Sequence, residues 1–341
     1  MRILIATPLV PPEPGGPSYY CVGVQGALER AGHTVDVVSF SRIRRWPSGV
    51  RHVLYLYHVL WAARGANLIL ILDTVSVALP AVIAGWVLGK RTIVRTGGDF
   101  VWEHYVERTG ELVPLSTFYI QERLLSGAER RLVLLQRAVV FRLASTVAFS
   151  TAWQRELWRE PYSLALEKTM VVENARPVSV YAQQTSQQVA TCTFVWVGRD
   201  KVLKNVELLK EAFTRVHTQH PDSALSLLTN VPQEEALAAV AKARCVVVPS
   251  VSEVSPNIVF EALSLGVPVI CTQDTGIREA CSDVVSFVDT RDVDALTQAM
   301  LSMCDNREHA VWCGRIAGWT YERTYDDVAR ELTSGITSNT S

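Results

Sequence analysis

The chain has 341 residues, 48% of them hydrophobic, and its 33 Lys+Arg against 34 Asp+Glu leave a net charge of −1. That length and apolar share suit a globular protein with two buried cores, and the balanced charge carries no expectation of a nucleic-acid partner. No apolar run reaches the roughly 18–20 residues of a membrane span, and seven scattered cysteines without a C-x2-C pair suggest neither a zinc knuckle nor a disulfide framework. A reducing cytoplasm fits, and no leader or anchor is expected ahead of the strand-like "RILIATPL".

The first half alternates short β-branched runs with longer helical patterns. "ILIATPL" is followed by a turn holding Gly15 and Gly16 and a helix near 17–31. "TVDVVSF", a helix near 50–64, "LILIL", a helix near 75–88, "TIVRTG", a helix near 118–142, "STVAFS", a helix near 152–158 and "KTMVVEN" continue the series. Residues 1–177 carry 20 Lys+Arg against 14 Asp+Glu, net +6, and the remainder is net −7. Arg42, Arg44, Arg45 and Arg51 lie close in sequence to Trp46, Tyr55, Tyr57 and Trp61. Such a mixture suits peripheral contact with an anionic membrane or a phosphate-bearing partner; snorkelling arginines on an ordinary amphipathic helix are the plainer alternative.

After Pro177 a polar stretch without periodicity, "VSVYAQQTSQQVA", separates a second series. It runs strand "TFVWVG", helix "NVELLKEAFTRVHTQ", strand "ALSLLT", helix "QEEALAAVAKA", strand "CVVVPS", helix "NIVFEALSL", strands "PVICT" and "VVSFV", and helix "VDALTQAMLSMC". Alternation of this kind predicts parallel sheets covered on both faces. The expectation is therefore two doubly wound Rossmann-like α/β domains at 1–177 and 191–318, with a closing helix at 319–334. Ligands of such sheets gather at the carboxyl ends of the strands.

Chemistry-bearing residues cluster at those ends. After "CVVVPS", Ser255 or Asn257 is the expected N-cap of "NIVFEALSLG", and the first-turn amides of Asn257, Ile258 and Val259 would meet an anion such as a nucleotide phosphate. Glu261 follows Asn257 by one turn and can accept two hydrogen bonds from a ribose diol, and Glu253 on the preceding loop can bind sugar hydroxyls. In "FVWVGRDKVLKN", Gly198 ends a strand and Arg199 and Lys204 follow it, two cations able to neutralise a diphosphate. "TIVRTGGDFVWEHY" ends its strand with Arg95, Asp99, Glu103 and His104. Asp292 and Asp294 in a D-x-D spacing read as helix capping, so no metal is expected.

With Glu253 and Glu261 in an E-x7-E spacing, the chain resembles the family-four retaining glycosyltransferases (glycosyl transferases group 1) of the GT-B fold from residue 3 to about 334. The resemblance implies two Rossmann-like domains facing across a cleft, the closing helix crossing back to the first. It implies a metal-independent hexosyltransferase-type enzyme that takes a nucleotide sugar as donor and a saccharide or lipid-linked acceptor, without further cofactor. By the same resemblance Glu253 contacts the donor sugar, Glu261 the ribose, and Arg199 and Lys204 the phosphates. Gly15 and Gly16 let backbone approach the donor, the base packs near Asn230 and Val231, and Asn174 stands at the family's asparagine turn. A histidine-containing loop usual in such enzymes is replaced here by Gly98-Asp99, which makes Asp99 the candidate for acceptor orientation or proton transfer, with Arg95, Glu103 and His104 beside it. The second domain is shortened by a helix and a strand. A non-catalytic subunit that holds a nucleotide sugar for a partner enzyme is the competing expectation.

Overall fold

A computed structural model of the chain describes residues 1–13, 16–121, 125–176 and 192–337. It divides into two compact units, Met1–Val101 with Glu122–Ala175 and Arg323–Ser341, and Trp102–Gln121 with Arg176–Glu322. No helix among the described residues is long and apolar enough to cross a membrane.

The first unit opens with β1 (Arg2–Thr7), α1 (Gly16–Arg30), β2 (Thr34–Ser39), α2 (Ser48–Ala62), β3 (Leu68–Ile71), α3 (Ala78–Val87) and β4 (Arg91–Arg95). The chain then passes through α4 (Phe100–Thr109) and α5 (Leu115–Phe118), most of which counts with the second unit. It returns through α6 (Gly127–Leu135), α7 (Phe141–Leu143), β5 (Thr146–Phe149), α8 (Ala152–Arg159) and β6 (Thr169–Val171). The six strands lie in the order β2-β1-β3-β4-β5-β6, and every pair is parallel. Ile3, Leu4, Ile5 and Ala6 are all fully buried, as expected for a central parallel strand covered on both faces. Two helix starts are capped from the sequence: Ser126 and Glu129 form a capping box on α6, and Thr151 accepts from the Gln154 amide on α8.

The second unit holds β7 (Thr193–Gly198), α9 (Val206–Gln219), β8 (Ala224–Thr229), α10 (Gln233–Val240), β9 (Cys245–Val248), α11 (Asn257–Ser264), β10 (Val269–Thr272), β11 (Val285–Val288), α12 (Val293–Cys304) and α13 (Asn306–Ala317). Its parallel sheet has the order β11-β10-β9-β7-β8. Successive side chains of a strand point to opposite faces, and the core follows that rule. Val195, Val246 and Val248 join the layer under α10 and α11, whereas Phe194, Trp196, Cys245 and Val247 pack toward α9 and α12.

The closing helix α14 (Tyr325–Thr337) belongs to the first unit. Val328, Ala329 and Leu332 complete the core that Val24, Ala27 and Leu28 of α1 begin. Arg323 fixes the approach, donating to the Glu173 carbonyl at 3.1 Å and to the Glu331 carboxylate at 2.5 Å.

Several expectations need correction. The closing helix begins at Tyr325 and not at Trp319, because Trp319 and Tyr321 stack over Phe260 in the second unit. The stretch read as a helix near 118–142 is broken: α5 ends at Phe118 and α6 starts only at Gly127. Helices α4 and α13 were not expected. Tyr55 does not join the surface aromatics, since it is fully buried and donates to the Val38 carbonyl at 2.9 Å. Cys192 and Cys304, 112 residues apart, form a disulfide where none was expected, because the sheet brings the start of β7 beside the end of α12. The interdomain stretch expected at 178–191 lies outside the described residues.

Gly23 on α1 lies directly beneath the Tyr325 ring, so that a Cβ there would overlap it. Gly23→Ala is expected to cost on the order of 1–3 kcal/mol by overpacking and to lower the thermal midpoint by about 2–4 °C per kcal/mol. A variant that melts within 1 °C of the parent, about the scatter of such a measurement, would show that α14 does not seat on α1.

Candidate functional site

The site is built at the carboxyl ends of β7 and β9. Gly198 closes β7 opposite Thr229, and a Cβ there would crowd the Trp196 ring, so the chain turns without room for a larger residue. Arg199 follows in the open and makes no ion pair among the described residues. A single 3-10 turn, Val202–Lys204, ends on Asn205 in the left-handed region at φ 52°. That conformation is tolerated best by Gly and Asn, and here the Asn205 amide group also donates to the Thr290 carbonyl at 2.6 Å. The turn directs Lys204 at Glu253: Nζ lies 2.5 Å from Oε1, and both side chains are mostly buried, at 23% and 15% exposure.

Glu253 is held from three directions. Ser250 donates to the same Oε1 at 2.6 Å, the Glu253 amide donates to the Asp274 carbonyl at 3.0 Å, and the Glu253 carbonyl accepts from the Gly276 amide at 3.1 Å. Ser250 is itself fixed because Thr290 donates to its carbonyl at 2.8 Å. Ser250, Asn205 and Thr290 therefore orient the ion pair, and sequence reasoning missed all three. The available signal was slight: a serine three positions before Glu253, and an asparagine directly after Lys204.

At α11 the expected cap is replaced. Pro256, not Ser255 or Asn257, occupies the N-cap position, and no side chain among the described residues caps the helix. Pro256 has no amide to donate and an extended conformation, so it ends the loop without closing the helix start. Ser255 Oγ is buried and meets no hydrogen-bond partner among the described residues. The Val259 amide is occupied, donating to the Pro256 carbonyl at 3.2 Å. The Val259 amide thus drops out of the groups expected to meet an anion. Phe260 anchors the helix from behind, with the Arg176 guanidinium 3.5 Å above its ring.

Glu261, one turn on, is half-buried and accepts from Gln233 Nε2 of α10 at 2.9 Å. Burial pushes its carboxyl above the usual range, against the hydrogen bond from Gln233. Asn230 is exposed after β8 with φ 57°, and the half-buried Val231 follows it. Glu103 and His104 lie on α4. Glu103 accepts from Lys201 Nζ at 3.1 Å and Glu107 of the same helix accepts from the Leu203 amide at 3.3 Å, so α4 holds the turn that carries Lys204. His104 is exposed.

The remaining candidates belong to the first unit. Gly16 starts α1 with open space around it, and Gly15 lies outside the described residues. Arg95 is buried, with its guanidinium 3.7 Å from the Tyr20 ring centre and donating to the Asn174 side chain. Asp99 is fully buried and accepts from Trp158 Nε1 at 2.7 Å. Gln154 of α8 supports the same loop, donating to the Gly98 carbonyl at 2.9 Å and accepting from Thr96 Oγ1 at 2.8 Å. Of the D-x-D pair, Asp292 caps α12 by accepting from the Asp294 and Ala295 amides, and Asp294 pairs with Arg215. No group of three or more potential ligands able to hold a metal occurs among the described residues.

A cavity of about 230 Å³ in the second unit is lined in part by Ser116, Thr117, Asp274, Arg278, Asp289 and Arg291. Ser252, beside Glu253, donates to the Asp274 carboxylate and accepts from the Leu115 amide at 2.8 Å.

Two parallel doubly wound sheets, one in each unit, are the elements of the GT-B fold. Residues 179–306 match the family model described as glycosyl transferases group 1, so the resemblance seen in the E-x7-E segment holds over that stretch. The chain is similar to the crystal structure of Anabaena HepE in complex with UDP, at 14% identity and a TM-score of 0.69, over 99% of this chain and 100% of that one. It is similar to sucrose-phosphate synthase from Thermosynechococcus elongatus at 14% identity and a TM-score of 0.70, over 98% of each chain. It also resembles a trehalose-6-phosphate protein from E. coli bound with UDP-2-fluoro glucose, at 12% identity and a TM-score of 0.66, over 99% of each. No curated protein matches at the level of sequence.

A carboxyl whose folded pKa is raised holds more protons in the folded than in the unfolded chain between its ordinary and its raised value. Stability from that group is complete at low pH and falls as the pH rises through this window. Glu261→Gln removes the ionisation, so the variant should gain thermal stability over the parent at pH 7.5 and lose that advantage near pH 4, conditions that bracket the carboxylate range. A difference independent of pH would show that Glu261 is ordinarily solvated.

Proposed function

We propose that the chain is a retaining, metal-independent glycosyltransferase of the hexosyltransferase type. It moves a sugar from a nucleoside diphosphate sugar to an acceptor hydroxyl, on the cytoplasmic side, in the assembly of bacterial cell-surface polysaccharide or glycolipid. The observation that carries this reading is the Lys204–Glu253 pair at 2.5 Å, on loops at the ends of neighbouring strands β7 and β9 of one sheet. A cation and a sugar-binding carboxylate in contact are what a donor's phosphate and hexose require side by side.

In this reading Arg199 and Lys204 meet the diphosphate, with the Asn257 and Ile258 amides and Ser255 Oγ at the start of α11. The dipole of α11 adds to their field. Glu261 takes the ribose diol, Asn230 and Val231 border the base, and Glu253 takes hydroxyls of the donor sugar. The bond from the anomeric carbon to the β-phosphate oxygen lengthens, and the cations stabilise the growing negative charge. The acceptor oxygen attacks from the same face, and its proton passes to the departing phosphate. A strong protein base is then unnecessary, which accords with Asp99 being committed to Trp158; Asp99 holds the loop and does not carry the proton. HepE solved with UDP and the E. coli protein with a UDP-2-fluoro glucose make a uridine nucleotide the first donor to try.

The commitment of Asp99 also sustains a second reading, a non-catalytic subunit that binds nucleotide sugar for a partner enzyme. Slow hydrolysis or transfer by the purified chain separates the two.

Arg199→Ala with Lys204→Ala should lower kcat by about 10²–10³-fold or more, the range for loss of a group that stabilises developing charge. Glu261→Ala should raise the Kd for nucleoside diphosphate with a smaller effect on kcat. Turnover of the double variant within a few-fold of the parent would remove the leaving-group assignment. Turnover abolished by EDTA and restored by Mg²⁺ or Mn²⁺ would remove the metal-independent one.

A further inference from the structure

The first unit displays an apolar ridge that its own core does not use. Val50, Val53, Tyr57 and Trp61 recur at three- and four-residue spacing on α2 and so share one face. They keep 45%, 67%, 65% and 66% of their surface exposed, and Trp46 just before the helix keeps 46%. The opposite face of α2 packs inward through Tyr55 and Val59, continued by Ala63 directly after the helix. Helix α3 is the neighbour of α2. Helix α2 links β2 to β3 and α3 links β3 to β4, all parallel strands of one sheet; both helices run against the strands, so their last turns lie at the same end of the sheet. There α3 exposes Trp86 at 68% and Val87 at 58% beside the end that carries Trp61.

Charge around this ridge is one-sided. Between residues 37 and 98 the sole acidic residue is Asp73, against Arg42, Arg44, Arg45, Arg51, Arg64, Lys90, Arg91 and Arg95. The Asp73 carboxylate is turned onto the Ser76 amide and hydroxyl at the β3–α3 connection. Arg42, Arg45 and Arg64 are exposed and form no ion pair among the described residues. Arg42 and Arg45 precede the ridge and Arg64 closes it.

We infer that the outer face of α2, continued by the end of α3, lies on an anionic lipid bilayer, with Tyr57, Trp61 and Trp86 seated at headgroup depth and Arg42, Arg45 and Arg64 against the lipid phosphates. Charge complementarity favours this occupant. A ridge seven large apolar side chains long would serve a second copy of the chain, but a two-fold contact would bring the same arginines against each other with no acid to pair them. Tryptophan and tyrosine prefer the membrane–water boundary, and each nearby arginine adds attraction to an anionic leaflet. The surface is separate from the residues proposed for glycosyl transfer and does not depend on them. It places the first unit where a lipid-linked acceptor would be presented.

The test is flotation of the purified full chain with vesicles of phosphatidylcholine alone, or with about one third phosphatidylglycerol, at low and high salt. No donor or acceptor is present, so the result is independent of turnover. The chain should float with the anionic vesicles at low salt and much less at high salt or without the anionic lipid. Trp61→Ser with Trp86→Ser should weaken partition about tenfold or more, and Arg42→Gln, Arg45→Gln and Arg64→Gln together should abolish the dependence on anionic lipid. Circular dichroism of each variant confirms the fold; these side chains are exposed, so it should be unchanged. Absence of flotation by the parent chain overturns the proposal. So does equal binding by the tryptophan variant, which would indicate adsorption by charge alone, or a dimer in light scattering that the tryptophan variant dissolves.

Discussion

The contact that holds the candidate site of the second unit together is the ion pair of Lys204 and Glu253. A single carboxylate oxygen accepts from the lysine and from Ser250, so the loops after β7 and β9 are tied by a charge-assisted bond that water reaches only in part. Removing one member of such a pair leaves the other charge desolvated and unmatched, which costs more than the pair itself contributes. For the proposed function the pair also answers an apparent conflict, since the cation assigned there to a diphosphate is already engaged. An ammonium has three donors. Glu253 takes one, and under the proposed function the others would meet phosphate oxygens without the side chain being reordered. Charge held in place beforehand is what makes electrostatic stabilisation of a leaving group effective.

The same logic explains the hydrogen bonds around it. Asn205 accepts a left-handed backbone and uses its side chain to reach the Thr290 carbonyl; Thr290 reaches Ser250; Ser250 reaches Glu253. Each link is polar and at least partly buried, and in such surroundings a satisfied network specifies one geometry while a broken one is expensive. The turn Val202–Lys204 is steadied further by Glu103 and Glu107 of α4. Residues that looked like acceptor-side chemistry in the sequence thus brace the lysine, as Glu103 does.

Much of the fold was legible because a parallel sheet covered on both faces leaves a loud pattern: "LILIL" and "CVVV" admit few other readings. Helix α4 was not read, because Gly97, Gly98 and a cluster of chemically interesting side chains made its sequence look like a loop. Its buried Val101, Trp102, Tyr105 and Val106 nevertheless recur at helical spacing. The cap of α11 was misassigned because serine and asparagine are better caps than proline in general; what decided the position was the extended backbone at Pro256. No local pattern could give the Cys192–Cys304 bond, since only the completed sheet brings residues 112 apart together. Among the candidate site residues, Glu253 and Glu261 stood out by their spacing and Lys204 by its place after a strand, whereas Ser250, Thr290 and Gln233 are hydrogen-bond partners whose contacts exist only in three dimensions.

Arg95 and Asp99 show where residue type misleads. A charged side chain on the loop after a central strand invites a catalytic reading, yet Arg95 lies on the Tyr20 ring and Asp99 beneath Trp158. Both are buried with partners, Asp99 accepting from Trp158 and Arg95 donating to Asn174, although Arg95 Nε meets no hydrogen-bond partner among the described residues. Asp99 and Gln154 hold the Gly97–Gly98 turn rigid from below, so whatever meets that turn meets backbone presented by a fixed loop. Burial thus separates two populations of charge in the first unit. Arg95 and Asp99 are consumed in shaping the end of the sheet, while Arg42, Arg45 and Arg64 remain in solvent beside apolar side chains that nothing inside the unit covers. The excess of positive charge in the first half of the chain therefore resides largely at its surface, where it can act on a partner, and contributes little to the core.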